Sequence, residues 1–156
     1  MKKYFTCIMK ALLVLCAGCC TDDAISQAQK LVQSDQASCV LVKNGKLVAQ
    51  ESGRGLGPLF VMLDKHGEEM AGGVIVDKVI GKAAAAIIVC GGAEKVCTGL
   101  ISEPGLVLLE KHGIKVCFEQ KVPQILNRRR DGLCPMEKRV AAIDDPEEAV
   151  KALRQK

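Results

Sequence analysis

"EKVCTGLISEPGLVLLEKHGIKVCFE", residues 94–119, is the stretch that decides the fold. Its first eight residues and its last six are apolar enough for buried strands. The residues between them predict a helix with Ser102 as its cap, Pro104 in its first turn and Gly113 at its end. A strand, a helix and a strand joined by short links form a right-handed crossover, so we expect the two strands to lie side by side and parallel.

The clearest turn signal in the chain lies upstream of this unit. Two strand-like runs, 38–43 and 46–51, are separated by Asn44-Gly45, a pair that tolerates positive φ at both positions. This pattern predicts an antiparallel hairpin. A helix over 22–34 is expected before it, because acidic residues follow a capping threonine and apolar residues then share one face.

A glycine-rich stretch, residues 52–57, follows the hairpin. Pro58 is a favoured first helical residue, and the pattern predicts a short helix through 59–64 that Gly67 can end. Backbone N–H groups of a glycine-rich loop before a helix can bind an anion, and Arg54 would add positive charge. A plain linker is the alternative interpretation of the same residues.

Another helix is predicted around an alanine-rich run. We take Asp77 as its first residue and Cys90 as its last, before the stop at Gly91-Gly92. Toward the end of the chain, Cys134-Pro135 and Asp145-Pro146 each begin a further helix. The first of these helices is expected to turn three apolar side chains inward, those of Met136, Val140 and Ile143.

Length and charge point to one ordinary α/β domain. The chain has 156 residues and a formal net charge of +4, but from residue 21 onward it carries 19 basic and 18 acidic residues. That balance argues against a nucleic-acid-binding protein, which needs clustered Lys and Arg. Arg128, Arg129 and Arg130 form the one basic run, interpreted as a solvated loop. We expect a single domain over 21–156.

Residues 1–20 form an N-terminal extension with a basic start and a short apolar run. They resemble a secretion signal that ends at a lipidation cysteine, Cys19 or Cys20, although Lys10 interrupts the apolar region. An extension produced by the choice of start site is the alternative. Without a lipid anchor, the predicted location is the cytoplasm and no membrane contact is expected.

The number and spacing of the nine cysteines do not match a disulfide framework. Four of them fall in the N-terminal extension, and the other five are an odd number without a C-x-x-C pair. These five, expected to be reduced thiols of a cytosolic domain, are Cys39, Cys90, Cys97, Cys117 and Cys134.

Four motifs carry a resemblance to a known group of proteins: "DKVIGKAAA", "ISEP", "NR" and "CPMEK". Together they resemble an uncharacterised bacterial family, a domain of unknown function with a cytidine-deaminase-like fold. The resemblance covers about residues 22–153. It implies a three-layer α/β/α fold with a mixed sheet that contains an antiparallel hairpin and a parallel β-α-β unit.

The zinc chemistry of that fold is missing from this chain. Zinc deaminases begin one core helix with H-x-E or C-x-E and the next with P-C-x-x-C, which supply the ligands and the proton-shuttling Glu. In our alignment Asp77 takes the first ligand position, Val79 takes the Glu position and "SEPGLV" replaces P-C-x-x-C. We therefore expect no zinc and no deamination by the usual route.

The position of the deaminase site is expected to remain. Two helix N-termini, at Asp77 and at Ser102-Glu103, should converge at the sheet edge where ligands of open α/β folds bind. Lys78 and Lys82 are four residues apart and share a helix face. Because a buried charge is costly without a partner, Lys82 needs Asp77, Glu103 or a ligand anion.

Three functional hypotheses follow. The first is binding of a nucleotide or another phosphorylated small molecule, with lysines and Arg54 on phosphate and carboxylates on hydroxyls or a base edge. The predicted ligand-binding residues are Arg54, Asp77, Lys78, Lys82, Ser102, Glu103, Asn127 and Arg128. The second is a metal-free enzyme with Asp77 or Glu103 as general base, tuned by Lys82, and Cys134 as a candidate nucleophile. The third is a purely structural or partner-binding role, in which these residues only cap helices and bridge elements.

Overall fold

The computed structural model of the chain describes residues 23–155, which contain six helices and five strands. The strands are β1 Cys39–Lys43, β2 Lys46–Glu51, β3 Val74–Ile80, β4 Lys95–Ser102 and β5 Lys115–Val122. The helices are α1 Asp23–Gln33, α2 Gly57–Met70, α3 Lys82–Cys90, α4 Glu103–Lys111, α5 Pro135–Val140 and α6 Pro146–Arg154.

The strands form one mixed sheet in the order β2-β1-β3-β4-β5. β1 pairs antiparallel with β2 and with β3, whereas β3, β4 and β5 run parallel. Alternation along β1 separates the two faces, since Val40 and Val42 pack beneath α1 while Cys39 and Leu41 contact the helices of the other layer. The predicted three-layer α/β/α fold is confirmed.

Several local predictions are confirmed by the backbone. Asn44 and Gly45 have φ of 51° and 71°, as the two-residue hairpin turn requires. Ser102 caps α4 by accepting a hydrogen bond from Gly105 N at 3.2 Å, and Asp145 caps α6 by accepting one from Glu148 N at 2.9 Å. None of the five cysteines between residues 23 and 155 forms a disulfide bond.

α2 is longer than predicted. It does not end at Gly67 but continues to Met70. The chain does leave helical geometry just before that glycine, where His66 has φ −128° and ψ 27°. Met62 and Met70, one on each side of this kink, are both fully buried. Burial of Met70 in the core stabilises the second part of the helix beyond the glycine.

The prediction that Asp77 begins the alanine-rich helix was wrong. Asp77 lies within β3, and α3 begins five residues later, at Lys82, with Gly81 as its N-cap. β-branched residues on both sides of Asp77 fit a strand between two neighbours better than a helix. The alignment with the deaminase zinc motif, which placed Asp77 at the helix start, fails for the same reason.

α3 lies at the centre of the helical layer and packs against α2, α4, α5 and α6. The exposed fraction of residues 83–88 does not exceed 3%. Four of these six side chains are alanines, so neighbouring helices can approach α3 closely. The amino end of α3 therefore lies inside the layer, close to the carboxyl end of β3.

None of the helices between Asp23 and Arg154 is long and apolar enough to cross a membrane. The predicted N-terminal extension, with its candidate lipidation sites Cys19 and Cys20, lies outside the described residues.

Candidate functional site

The first N–H groups of α3 bind a carboxylate that belongs to the chain itself. Glu137 on α5 accepts hydrogen bonds from Lys82 N and Ala83 N, both at 2.9 Å, one on each of its oxygens. The Glu137 residue is only 8% exposed. A Cβ at Gly81 would overlap this carboxylate, so a larger residue at the N-cap would displace Glu137 from its position. The helix end at which a ligand anion was expected is therefore occupied by Glu137.

Lys82 has partners other than those predicted. Its Nζ donates to Ala141 O at 3.0 Å and forms an ion pair with Asp144 Oδ1 at 3.2 Å. The side chain of Lys82 is 11% exposed, whereas that of Asp144 is 88% exposed. The expectation that Lys82 pairs with Asp77 or Glu103 was wrong, because the chain after α5 passes closer to the lysine. Through its backbone and its side chain, Lys82 holds both ends of α5.

Replacing Lys82 tests this assignment. We expect Lys82→Ala to lower the free energy of unfolding by about 1–2 kcal/mol, since one hydrogen bond and one ion pair to an exposed carboxylate are lost. Urea denaturation measures the change, with Lys111→Ala, on the exposed last turn of α4, as the control. A loss well above 3 kcal/mol would instead indicate that Lys82 neutralises a buried carboxylate.

A cavity of about 360 Å³ lies beside the amino end of α3, and we call it the Asp77 pocket. The residues with charged or thiol side chains that line it are Asp35, Asp77, Lys78, Cys134 and Glu137. Its lysine is already paired, since Lys78 Nζ lies 2.8 Å from Asp35 Oδ1. Glu137 is engaged by α3. Asp77 is the remaining charged group of the pocket, and within residues 23–155 it takes part in no ion pair.

Burial dominates the electrostatics of Asp77. It raises the pKa of this carboxyl to about 6, against the opposing effect of hydrogen bonds from the backbone N–H groups of Val79 and Lys78. The bond from Val79 N to Asp77 Oδ1 is 3.1 Å long. Cys39 lies opposite Asp77 on β1, and burial first, then the Asp77 charge, raise the pKa of its thiol. Asp77 thus titrates close to neutral pH while Cys39 stays protonated.

The α4 side of the predicted site lies apart from Asp77. The starts of α3 and α4 do meet, because a Cβ at Gly105 would lie 2.9 Å from the carbonyl carbon of Gly81. Ser102 is fully buried as a helix cap. Glu103, however, lines a different cavity, together with Lys82 and Asp144. The structure therefore does not bring the two candidate bases, Asp77 and Glu103, into one pocket.

Three of the remaining candidates, Arg54, Asn127 and Arg128, do not line the Asp77 pocket. Arg54 is exposed in the glycine-rich loop, between two glycines that do line the pocket. Asn127 and Arg128 lie in a turn farther along the chain, and Asn127 lines a separate groove. Cys134 does line the Asp77 pocket.

Sequence reasoning missed the role of Glu137. Its signal was an acidic residue between two apolar positions of a short predicted helix, Met136 and Val140. That pattern shows an acid on or near a buried face but not its partner, which is 55 residues away in sequence.

The expectation of a zinc-free chain stays a prediction. In the part of the chain that the structure describes, no three His, Cys, Asp or Glu side chains are grouped so as to hold a metal ion.

Comparison with known proteins identifies the family. The model of the domain of unknown function DUF1893 matches residues 27–156. The chain belongs to the DUF1893 family. A DUF1893 family protein from Thermotoga maritima, with a crystal structure at 2.70 Å resolution, is 25% identical with a TM-score of 0.74, covering 85% of this chain and 88% of that chain. The family resemblance read from the motifs is confirmed.

A weaker likeness links this DUF1893 chain to a diaminohydroxyphosphoribosylaminopyrimidine deaminase/5-amino-6-(5-phosphoribosylamino)uracil reductase from Thermotoga maritima. The identity is 17% and the TM-score 0.47, over 63% of this chain and 36% of that chain. No match was found among curated proteins. These values assign no activity to the DUF1893 chain.

Proposed function

We propose that this DUF1893 protein binds a small nucleotide-like molecule in the Asp77 pocket. The observation that carries the proposal is Asp77 itself, a carboxylate that burial destabilises, that lines a cavity and that has no cation partner within residues 23–155. A carboxylate of this kind lowers the stability of the folded protein. Acidic residues in clefts whose pKa is strongly shifted are typical of functional sites.

The pocket has the size and chemistry for the base end of such a ligand. A volume of about 360 Å³ lies within the range of small-molecule sites. Asp77 titrates near neutral pH, so it accepts hydrogen bonds when ionised and donates one when protonated. The edge of a nucleobase offers both donors and acceptors to a group of this kind.

The ligand's phosphate is not assigned to the helix N-terminus or to Lys82. Glu137 already accepts from the first N–H groups of α3, and Lys82 and Lys78 are paired with Asp144 and Asp35. A second anion beside these carboxylates would be repelled. The sequence-based assignment of phosphate to Lys82 and Lys78 is therefore replaced by binding of an uncharged base at Asp77.

Thermal shift with single nucleosides tests the proposal. We expect one of cytidine, uridine, adenosine or guanosine to stabilise the wild type, by about 2.7 kcal/mol when its concentration is a hundred times its dissociation constant. Asp77→Asn should lower the affinity for that nucleoside at least about tenfold, because the amide cannot match both protonation states of the carboxyl.

Asp144→Asn is the matched control, since the same chemical change falls on an exposed carboxylate outside the Asp77 pocket. It should bind as the wild type does. The proposal fails if no nucleoside shifts the wild type, or if Asp77→Asn binds with unchanged affinity.

A metal-free enzyme is the second candidate, and one observation favours it. Asp77, with a pKa of about 6, lies in the range in which a general base works well near neutral pH. Cys134 lines the same pocket and is the candidate nucleophile. Mass spectrometry of each nucleoside after incubation with wild type and with Asp77→Asn distinguishes an enzyme from a binding protein, because only turnover changes the ligand's mass.

A further inference from the structure

A second cavity lies next to the Asp77 pocket, and the charge of its lining has the opposite sign. It has a volume of about 440 Å³ and is lined by Val79, Ile125, Leu126, Asn127 and Arg130, among others. We call it the Arg130 groove. No Asp or Glu lines it, whereas three carboxylates line the Asp77 pocket.

The arginines beside the groove lie in a well-defined turn. Asn127 N donates to Gly132 O at 2.8 Å, Arg130 N donates to Asn127 O at 3.0 Å, and Asn127 Nδ2 donates to Asp131 Oδ1 at 2.7 Å. Arg130 itself has a positive φ of 58°. These bonds fix the backbone of the turn and engage Asp131.

The guanidinium groups of this turn are available to a ligand. Arg128, Arg129 and Arg130 are exposed, and none of them forms an ion pair with another residue between 23 and 155. The three lysine and arginine ion pairs in that range involve Lys78, Lys82 and Arg154 instead. The arginine run is thus a concentrated unpaired positive charge at the edge of a cavity without lining carboxylates.

The two cavities are neighbours, because Val79 and Ile125 line both. A molecule with its base at Asp77 would have to pass these two apolar side chains to reach Arg130. Val79 is 38% exposed and offers an apolar surface for the middle of the ligand.

We propose that the Arg130 groove binds the phosphate of the ligand whose base occupies the Asp77 pocket. This inference rests on the proposed function and adds Arg130 to the predicted ligand-binding residues, one of which, Asn127, lines the same groove. Arginine suits the role because its planar guanidinium forms paired hydrogen bonds with phosphate oxygens.

Matched ligands test the inference. The nucleoside that stabilises the wild type is compared with its 5′-monophosphate by isothermal titration calorimetry, and the monophosphate should bind about tenfold or more tightly. Higher salt should remove most of this preference and leave the affinity for the nucleoside unchanged, because exposed charges are screened.

Arg130→Asn is the decisive variant, since asparagine tolerates the positive φ of that position. It should bind the nucleoside as the wild type does and lose most of the preference for the monophosphate. Replacing Arg128 and Arg129 by Gln as well should remove the rest. Lys151→Gln, on the exposed side of α6, removes one positive charge elsewhere and should change neither affinity.

The outcomes separate the two proposals. If the nucleoside binds but its monophosphate binds no better, or if Arg130→Asn keeps the preference, the groove assignment is wrong and the Asp77 pocket stands. If neither compound binds the wild type, the proposed function and the groove assignment are both overturned.

Discussion

Glu137→Ala is expected to lower the free energy of unfolding by about 2–5 kcal/mol, because two N–H groups at the start of α3 lose their acceptor together. Ala83 N is buried and Lys82 N is partly buried, so water replaces the carboxylate incompletely. The favourable interaction of the negative charge with the helix dipole is lost as well. α5 also loses one of its two attachments to Lys82.

Chemical denaturation of Glu137→Ala, Glu137→Gln and Lys138→Ala separates these contributions. Glutamine keeps one oxygen acceptor but turns an amide NH₂ toward the other N–H. The stability of Glu137→Gln should therefore lie between those of the wild type and Glu137→Ala. Lys138 is the exposed neighbour on α5 and its replacement should change stability by no more than about 0.5 kcal/mol. Wild-type stability in Glu137→Ala would show that Glu137 does not cap α3.

Asp77→Asn is expected to stabilise the protein at neutral pH, by up to about 3 kcal/mol. Burial raises the pKa of Asp77 from its ordinary value of 3.8 to about 6 in the folded state. Between those values the folded protein binds more protons than the unfolded chain, so the contribution of Asp77 to stability falls as pH rises. Well above pH 6 the full cost of the buried charge is present, and asparagine carries no such charge.

The difference between variant and wild type should therefore depend on pH. It should be small around pH 4, grow as pH rises through 6, and level off about one pH unit above that value. Asp144→Asn, the exposed counterpart, should show no such gain. Equal stability of Asp77→Asn and wild type at neutral pH would mean that Asp77 is well solvated, and the main support for a ligand at this carboxyl would be lost.

A stabilising Asp77→Asn that also loses nucleoside binding would place Asp77 among residues kept for function at a cost in stability. If Asp77→Asn stabilises the protein and nucleoside binding is unchanged, the result would favour the structural hypothesis, in which the charged residues around α3 only fix the packing.

Much of the architecture follows from local sequence signals. Asn44-Gly45 specifies a hairpin turn because few other residue pairs tolerate positive φ at both positions. Ser102 and Pro104 specify the start of α4, since a capping hydroxyl and a proline act on the residues next to them. These signals work within four residues, and the alternation of apolar residues then places the strands between two helical layers.

The tertiary structure decided the site. Aspartate is a favoured residue at a helix start. Pairing of Asp77 with Cys39 on one side and Thr98 on the other nevertheless holds it in β3. The partner of the α3 N-terminus could not be predicted locally, because Glu137 reaches Lys82 only after α5 has packed beside α3. Local sequence thus determined where most elements begin and end, whereas long-range packing determined which charges are satisfied within the described chain and which, like Asp77 and Arg130, face a cavity without an ion-pair partner.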